Sequence, residues 1–202
     1  ISVEKLALEQ IMISDEYNAS DYAIGTDSFD ISITVGSSST TTTAITVSSL
    51  TPAGVVSAIN TADTGVTASL VDTGTGGTNY RIILTGKTGS EGVFTISSNP
   101  DLGFSDAGNT LQAAQDAEIE FDGLTITRGS NEFSDVVTGA TLTLYETTTS
   151  AATVAIYSDT SALQTKLENI VTVYNDFRDL MDELTTSTID EDIEHSGDLQ
   201  RE

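Results

Sequence analysis

The chain has no cysteine and no tryptophan, two prolines and a single histidine. Each scarcity removes a class of answer. Without cysteine there are no disulfides, no thiolate metal sites and no thiol nucleophile, which fits the cytosol or an export route that never uses disulfides. The one histidine, His195, sits in an acidic tail, and this excludes a histidine-based triad or a multi-histidine metal centre. Basic residues are scarce too: 7 against 31 acidic, for a formal charge of −24. Such a field repels phosphate, so neither nucleic acid nor an anionic membrane surface is expected as a partner. No apolar run approaches the length of a membrane span, so no membrane insertion is expected. Aromatic residues make up 6% of the chain, which predicts small, aliphatic cores. The chain opens at Ile1 without a signal-peptide pattern and closes at Glu202, and both ends read as cut from a longer protein.

What is present is β-forming. Serine and threonine exceed a quarter of the residues, yet Val, Ile and Leu recur with period, so this is a solvated β surface rather than a disordered tract. Ile1–Ala7 alternates as a half-buried strand, and the stretch through Tyr17–Tyr22 reads as a connection. Phe29–Val35 is a clean alternating strand, with Phe29, Ile31, Ile33 and Val35 on one face. Ser37–Thr43 reads as a polar turn before a strand at Ala44–Val47. Thr51 is placed to cap a short helix with Pro52 at its first position and a staple between Leu50 and Val55. Strands follow at Val66–Val71, Tyr80–Thr85 and Val93–Ser97, the first two joined by a glycine-rich turn. Residues 29–97 thus read ββαβββ.

Asn99–Gln115 is polar and glycine-bearing and reads as a domain crossing. Beyond it, Ala117–Phe121 and Leu124–Arg128 flank Asp122-Gly123, the dipeptide best suited to a two-residue hairpin turn. Thr141–Tyr145 and Thr153–Tyr157 read as a second hairpin. The predicted class is α+β, mostly β: two small β-rich domains, the outer inserted in the inner, followed by a long coiled-coil-type helix.

No catalytic constellation emerges, so no enzyme activity and no cofactor are expected. Gly74, Gly76 and Gly77 lack the Gly-Lys-Ser/Thr ending of a phosphate loop and lead into a strand. Asp190, Glu191, Asp192 and Glu194 do not match a calcium-binding loop, and no metal site is expected. A glycosidase-like acid pair among the many carboxylates is the weakest of the readings considered.

One signal rises above this background. Leu163, Leu167, Ile170, Tyr174, Phe177, Met181 and Leu184 recur at alternating spacings of four and three, and no Gly or Pro interrupts Asp159–Leu184. Such a helix runs roughly 39 Å at 1.5 Å per residue, with Ser158 or Asp159 as its cap. Its stripe either packs on the chain's own β domain or forms a helix–helix seam. Three unbroken heptads favour the seam, which makes these seven residues the expected partner contacts. Lys166, Glu168, Asp176 and Arg178 lie off the stripe.

Several segments together resemble the flagellar filament cap family. They are Ala117-Glu-Ile-Glu-Phe-Asp-Gly-Leu-Thr-Ile-Thr-Arg-Gly-Ser-Asn131, Val136-Val-Thr-Gly-Ala-Thr-Leu-Thr-Leu144, Asp159-Thr-Ser-Ala-Leu163 and Val173-Tyr-Asn-Asp-Phe177. Thr51–Ala62, Gly65–Val71 and Tyr80–Thr85 are similar to the repeat shared by flagellins and cap proteins. The resemblance implies a layout: an inner head domain from residues 1–28 and 111–157, an inserted outer domain from 29–110, the start of a helical leg at 158–185, and an acidic tail or linker at 186–202. It implies a structural subunit, exported without a cleaved signal peptide to the extracellular filament tip. There it would self-associate into a ring and help flagellin fold and insert. Its partners would be itself and flagellin. The competing reading is an adhesin-type module whose outer domain recognises host surface glycans or matrix, although no aromatic platform marks a sugar site.

Overall fold

The computed structural model describes residues 1–74, 79–155, 160–185, 188–190 and 193–195. Gly76 and Gly77 of the glycine-rich turn, residues 156–157 of the last predicted strand, the Ser158/Asp159 cap, and Glu191 and Asp192 of the acidic tail lie outside the described residues. The chain divides into two units, residues 1–154 and 155–202.

Among its described residues the first unit holds twelve strands and one α-helix: β1 (Ser2–Lys5), β2 (Glu9–Ile13), β3 (Phe29–Val35), β4 (Thr41–Val47), α1 (Pro52–Thr61), β5 (Thr67–Asp72), β6 (Tyr80–Thr88), β7 (Phe94–Ser98), β8 (Thr110–Gln112), β9 (Ala117–Phe121), β10 (Leu124–Arg128), β11 (Glu132–Val137) and β12 (Ala140–Thr143). All pairings are antiparallel. They form sheets β5-β6-β2-β8, β4-β3-β7, β1-β9-β10 and β11-β12.

Period-two alternation accounts for the larger core. Phe29, Ile31 and Ile33 of β3, Ile45 and Val47 of β4, Ile82 and Leu84 of β6, and Phe94 and Ile96 of β7 all turn inward. Val55 and Ile59 of α1 close the same core. Thr51 caps α1, its hydroxyl accepting from Gly54 N–H at 3.1 Å, with Pro52 in the first turn where a missing N–H costs nothing. A smaller core gathers Val3, Ala7, Ala117, Ile119, Phe133 and Leu144.

The two cores share one backbone feature. Ser2, Val3 and Lys5 pair with Glu120, Ile119 and Glu118; Leu8 bridges Gln115; Ile11 and Met12 pair with Gln112 and Thr110; and Ile13 N–H donates to Asn109 C=O at 2.8 Å. Chain 2–13 and chain 109–120 are therefore a single antiparallel ribbon with two register shifts. One end lies in the sheet of the small core and the other in a sheet of the large core. Lys5 Nζ meets Glu118 Oε2 across this ribbon at 2.7 Å, and the carboxylate holds the ammonium above its usual pKa.

β2 lies in the sheet of the larger core, between β6 and β8. Within Asn99–Gln115, Leu102 and Phe104 plug the larger core and β8 pairs β2. Several expectations shift here. The second hairpin joins β11 to β12 across Thr138-Gly139, with Gly139 at φ 81°, and 153–155 form no strand. A two-residue connection closes more cheaply than the longer loop expected at Thr147–Ser150. Residues 148–152 instead run beside β1, where Thr148 and Ala152 N–H donate to Val3 and Ile1 C=O at 3.0 and 2.7 Å. The polar turn before β4 is shorter than expected, since Thr41–Thr43 already pair with Val35–Ile33.

Three side-chain amides stand in for strand neighbours, each giving one bond to the C=O and accepting one from the N–H of a single residue. Gln10, buried, bonds both N–H and C=O of Phe94 at 2.9 Å and joins the two sheets of the larger core. Asn60 does the same to Ala68, tying α1 to β5, and Asn131 to Ala7. Each satisfies backbone groups that would otherwise be buried unpaired.

The exposed turn after β3 is held by a carboxylate. Glu91 accepts from the hydroxyl and N–H of Ser37 and from the N–H of Ser38 at 2.9–3.3 Å, and the side chains of Ser38 and then Ser37, with these N–H groups, pull its pKa down to about 2. Because the folded pKa is depressed, the contribution is present above the unfolded carboxylate's range and disappears as pH falls through about 2. In a carbon-detected NMR titration, Glu91 is expected to hold its charged shift through pH 3. A midpoint near 4 would contradict the clasp.

In the second unit, α2 spans Ser161–Thr185. The segment expected as an acidic tail or linker carries a short antiparallel pair, β13 (Thr188–Asp190) and β14 (Ile193–His195).

Candidate assembly surface

The helix α2 forms because 25 residues pass without Gly or Pro. Its own surface adds modest support. Gln164 Nε2 donates to Glu168 Oε1 at 2.8 Å one turn on, and Arg178 lies 3.9 Å from Asp182 in the same relation. Exposed pairs of this kind contribute only about 0.2–0.5 kcal/mol each. A helix of this sort takes most of its stability from packing an apolar face.

That face is uncovered within its own unit, among the described residues. No residue of α2 is buried. Leu163, Leu167, Ile170, Tyr174 and Phe177 each keep more than half of their surface open, Leu184 keeps 38%, and Met181 is half-buried. The heptad residues are therefore brought onto one exposed stripe. Sequence reading missed three neighbours of equal exposure: Val171, Val173 and Leu180. They fall one heptad position to either side of the stripe, and inspecting the flanking positions would have found them. With them the apolar surface is wider than the seam of a two-helix coil, so its geometry suits more than one packing neighbour. An apolar patch of this extent makes the stripe a candidate contact surface.

No group of three or more side chains capable of holding a metal occurs among the described residues. The Tyr17 hydroxyl, buried in the larger core, is pushed up to about 12 by desolvation.

The arrangement has known counterparts. The family model for the C-terminus of flagellar hook-associated protein 2 matches residues 114–201. The flagellar hook-associated protein 2 of Salmonella typhimurium is 30% identical over 152 residues, which cover 70% of this chain and 32% of that protein. The crystal structure of the D1-D2-D3 domains of the flagellar cap protein FliD from Escherichia coli superposes with a TM-score of 0.77 at 29% identity, covering 91% of this chain and 57% of that one. FliD from Pseudomonas aeruginosa PAO1 superposes with a TM-score of 0.69 at 25% identity, covering 94% and 92%. A β-rich head with a following amphipathic helix, matched at this level, is the architecture of flagellar cap proteins. The chain belongs to the family of flagellar hook-associated protein 2, or FliD. It spans about a third of the length of the Salmonella relative.

Proposed function

We propose that the chain is part of a structural subunit of the flagellar filament cap, which self-associates at the filament tip and promotes folding and insertion of flagellin. The observation that carries this reading is the uncovered apolar face of α2 in a member of the cap family. Such a face is a liability for a free monomer and an asset for a subunit that buries it in a leg bundle or against a second copy. Within this reading the smaller core is the inner head domain and the larger core the inserted outer domain. The chain passes between them at Leu8 and Gln115 rather than at residues 28 and 110. The α2 helix begins the leg. Two coverages support the last assignment: the E. coli structure of domains D2-D3 covers 74% of this chain, and the one that adds D1 covers 91%.

In the source bacterium, deleting the gene is expected to leave cells without long filaments and with flagellin released into the medium. The full-length chain should restore both. Long filaments on the deletion strain would contradict the proposal.

A second reading rests on a separate observation. The outward face of β4-β3-β7 is hydroxyl-rich, with Thr34 and Thr42 Oγ1 2.8 Å apart and Thr46 Oγ1 donating to Asp30 at 2.7 Å. An adhesin-type contact with host glycans would use such a face, and a glycan array without hits removes it.

A further inference from the structure

We infer that the two β lobes form one rigid body, with the antiparallel ribbon 2–13/109–120 as its shaft and with Asp116 and Asn131 as the residues that stiffen its midpoint. The ribbon is supported at both ends, by β10 beside β9 in the small lobe and by β6 beside β2 in the large one. Its weak point is the middle, Ala7–Leu8 against Gln115–Asp116, where only two strands run. Two-stranded ribbons are marginal by themselves and twist readily. A hinge would be expected there if nothing else touched it.

The middle is instead bound from both lobes. Leu8 and Gln115 exchange backbone bonds at 2.9 and 3.2 Å. From the large lobe, Gly89 N–H donates to Leu8 C=O at 3.1 Å. Ser90 gives both its N–H and its hydroxyl to the Asp116 carboxylate, at 2.6 and 2.8 Å. From the small lobe, the Asn131 amide pairs with both polar groups of Ala7 at 2.7 and 3.0 Å. The lobes also touch backbone to backbone: a Cβ placed on Gly89 would lie 2.4 Å from Gly129 Cα. Charge-assisted and two-point bonds of this kind fix orientation as well as distance, because both bonds of a pair must break for the joint to bend. A bend at Leu8 therefore disrupts the Asp116 clasp, the Asn131 clasp or both. An outer lobe held this way cannot swing freely; it moves with the inner one.

The absence of cysteine makes the test simple. The 202-residue chain carrying Ser57→Cys in α1 and Thr125→Cys in β10 takes one spin label per lobe, and pulsed electron spin resonance reads the distance distribution between them. A single narrow distribution is expected for this chain. Adding Asp116→Ala and Asn131→Ala should broaden it about twofold or more, as local opening becomes accessible. A broad or two-peaked distribution without these changes would overturn rigidity. An unchanged width in the double variant, with its circular dichroism intact, would overturn the role given to the two residues. Asp116→Asn with Asn131→Asp, which keep size and shape, serve if the alanine pair does not fold. Broadening in that pair again supports the assignment, and an unchanged width overturns it.

Discussion

Gly89→Ala is expected to destabilise the β unit by about 3–5 kcal/mol. Gly89 has φ 87° and ψ 163°, a region that only glycine enters readily, and an L side chain there costs about 1–3 kcal/mol by itself. The added methyl also meets backbone on the far side, 2.4 Å from Gly129 Cα and 2.6 Å from Gly129 O. Backbone cannot rotate away as a flexible side chain would. Relief requires the lobes to separate at Leu8, where Gly89 N–H is bonded, so the substitution strains the joint itself. Gly108→Ala is the internal control: φ is 93°, and nothing lies within 4 Å of the added carbon. Its cost should stay near about 1–2 kcal/mol. Urea unfolding of the two variants measures the difference, and equal losses would contradict the packing argument.

The second large effect is expected on α2, and it separates folding from assembly. Ile170→Asp and Phe177→Asp place carboxylates on positions 64% and 58% exposed in this chain. Little apolar surface is covered there, so the thermal melt of the 202-residue chain should change by no more than about 0.5 kcal/mol. In a seam the same carboxylates must be desolvated without partners, at a cost of several kcal/mol each. The melt of the short chain should therefore be blind to substitutions that abolish association of the full-length protein. A large loss of stability in the short chain would mean that α2 packs on its own β domain, the alternative left open by the heptad pattern.

Much of the fold could be read where the signals are local. The bounds of β3, the Thr51–Pro52 start of α1 and the ββαβββ order all follow from alternation, capping and turn chemistry within a few residues. At Asp122-Gly123 both residues take positive φ, 50° and 82°, as a tight hairpin requires. The ribbon could not be read this way. Its halves are short and lie about a hundred residues apart, and pairing at that separation leaves no local pattern. Leu102 and Phe104 were hidden in the same way, as lone apolar residues in a polar, glycine-bearing stretch that owe their burial to tertiary packing. The amides of Gln10, Asn60 and Asn131 were equally silent, since an Asn or Gln that clasps a distant peptide looks like any solvated polar residue. On α2 the seven heptad positions were legible because helical period is local. Val171, Val173 and Leu180 were passed over because they fall beside the stripe.

The uncovered face of α2 as an assembly surface is the claim on which the functional reading stands. Light scattering of the full-length protein tests it most directly, with and without Ile170→Asp and Phe177→Asp. The unaltered protein is predicted to show a concentration-dependent mass well above one subunit, and the double variant a single subunit at every concentration. Equal masses for the two proteins would contradict the account.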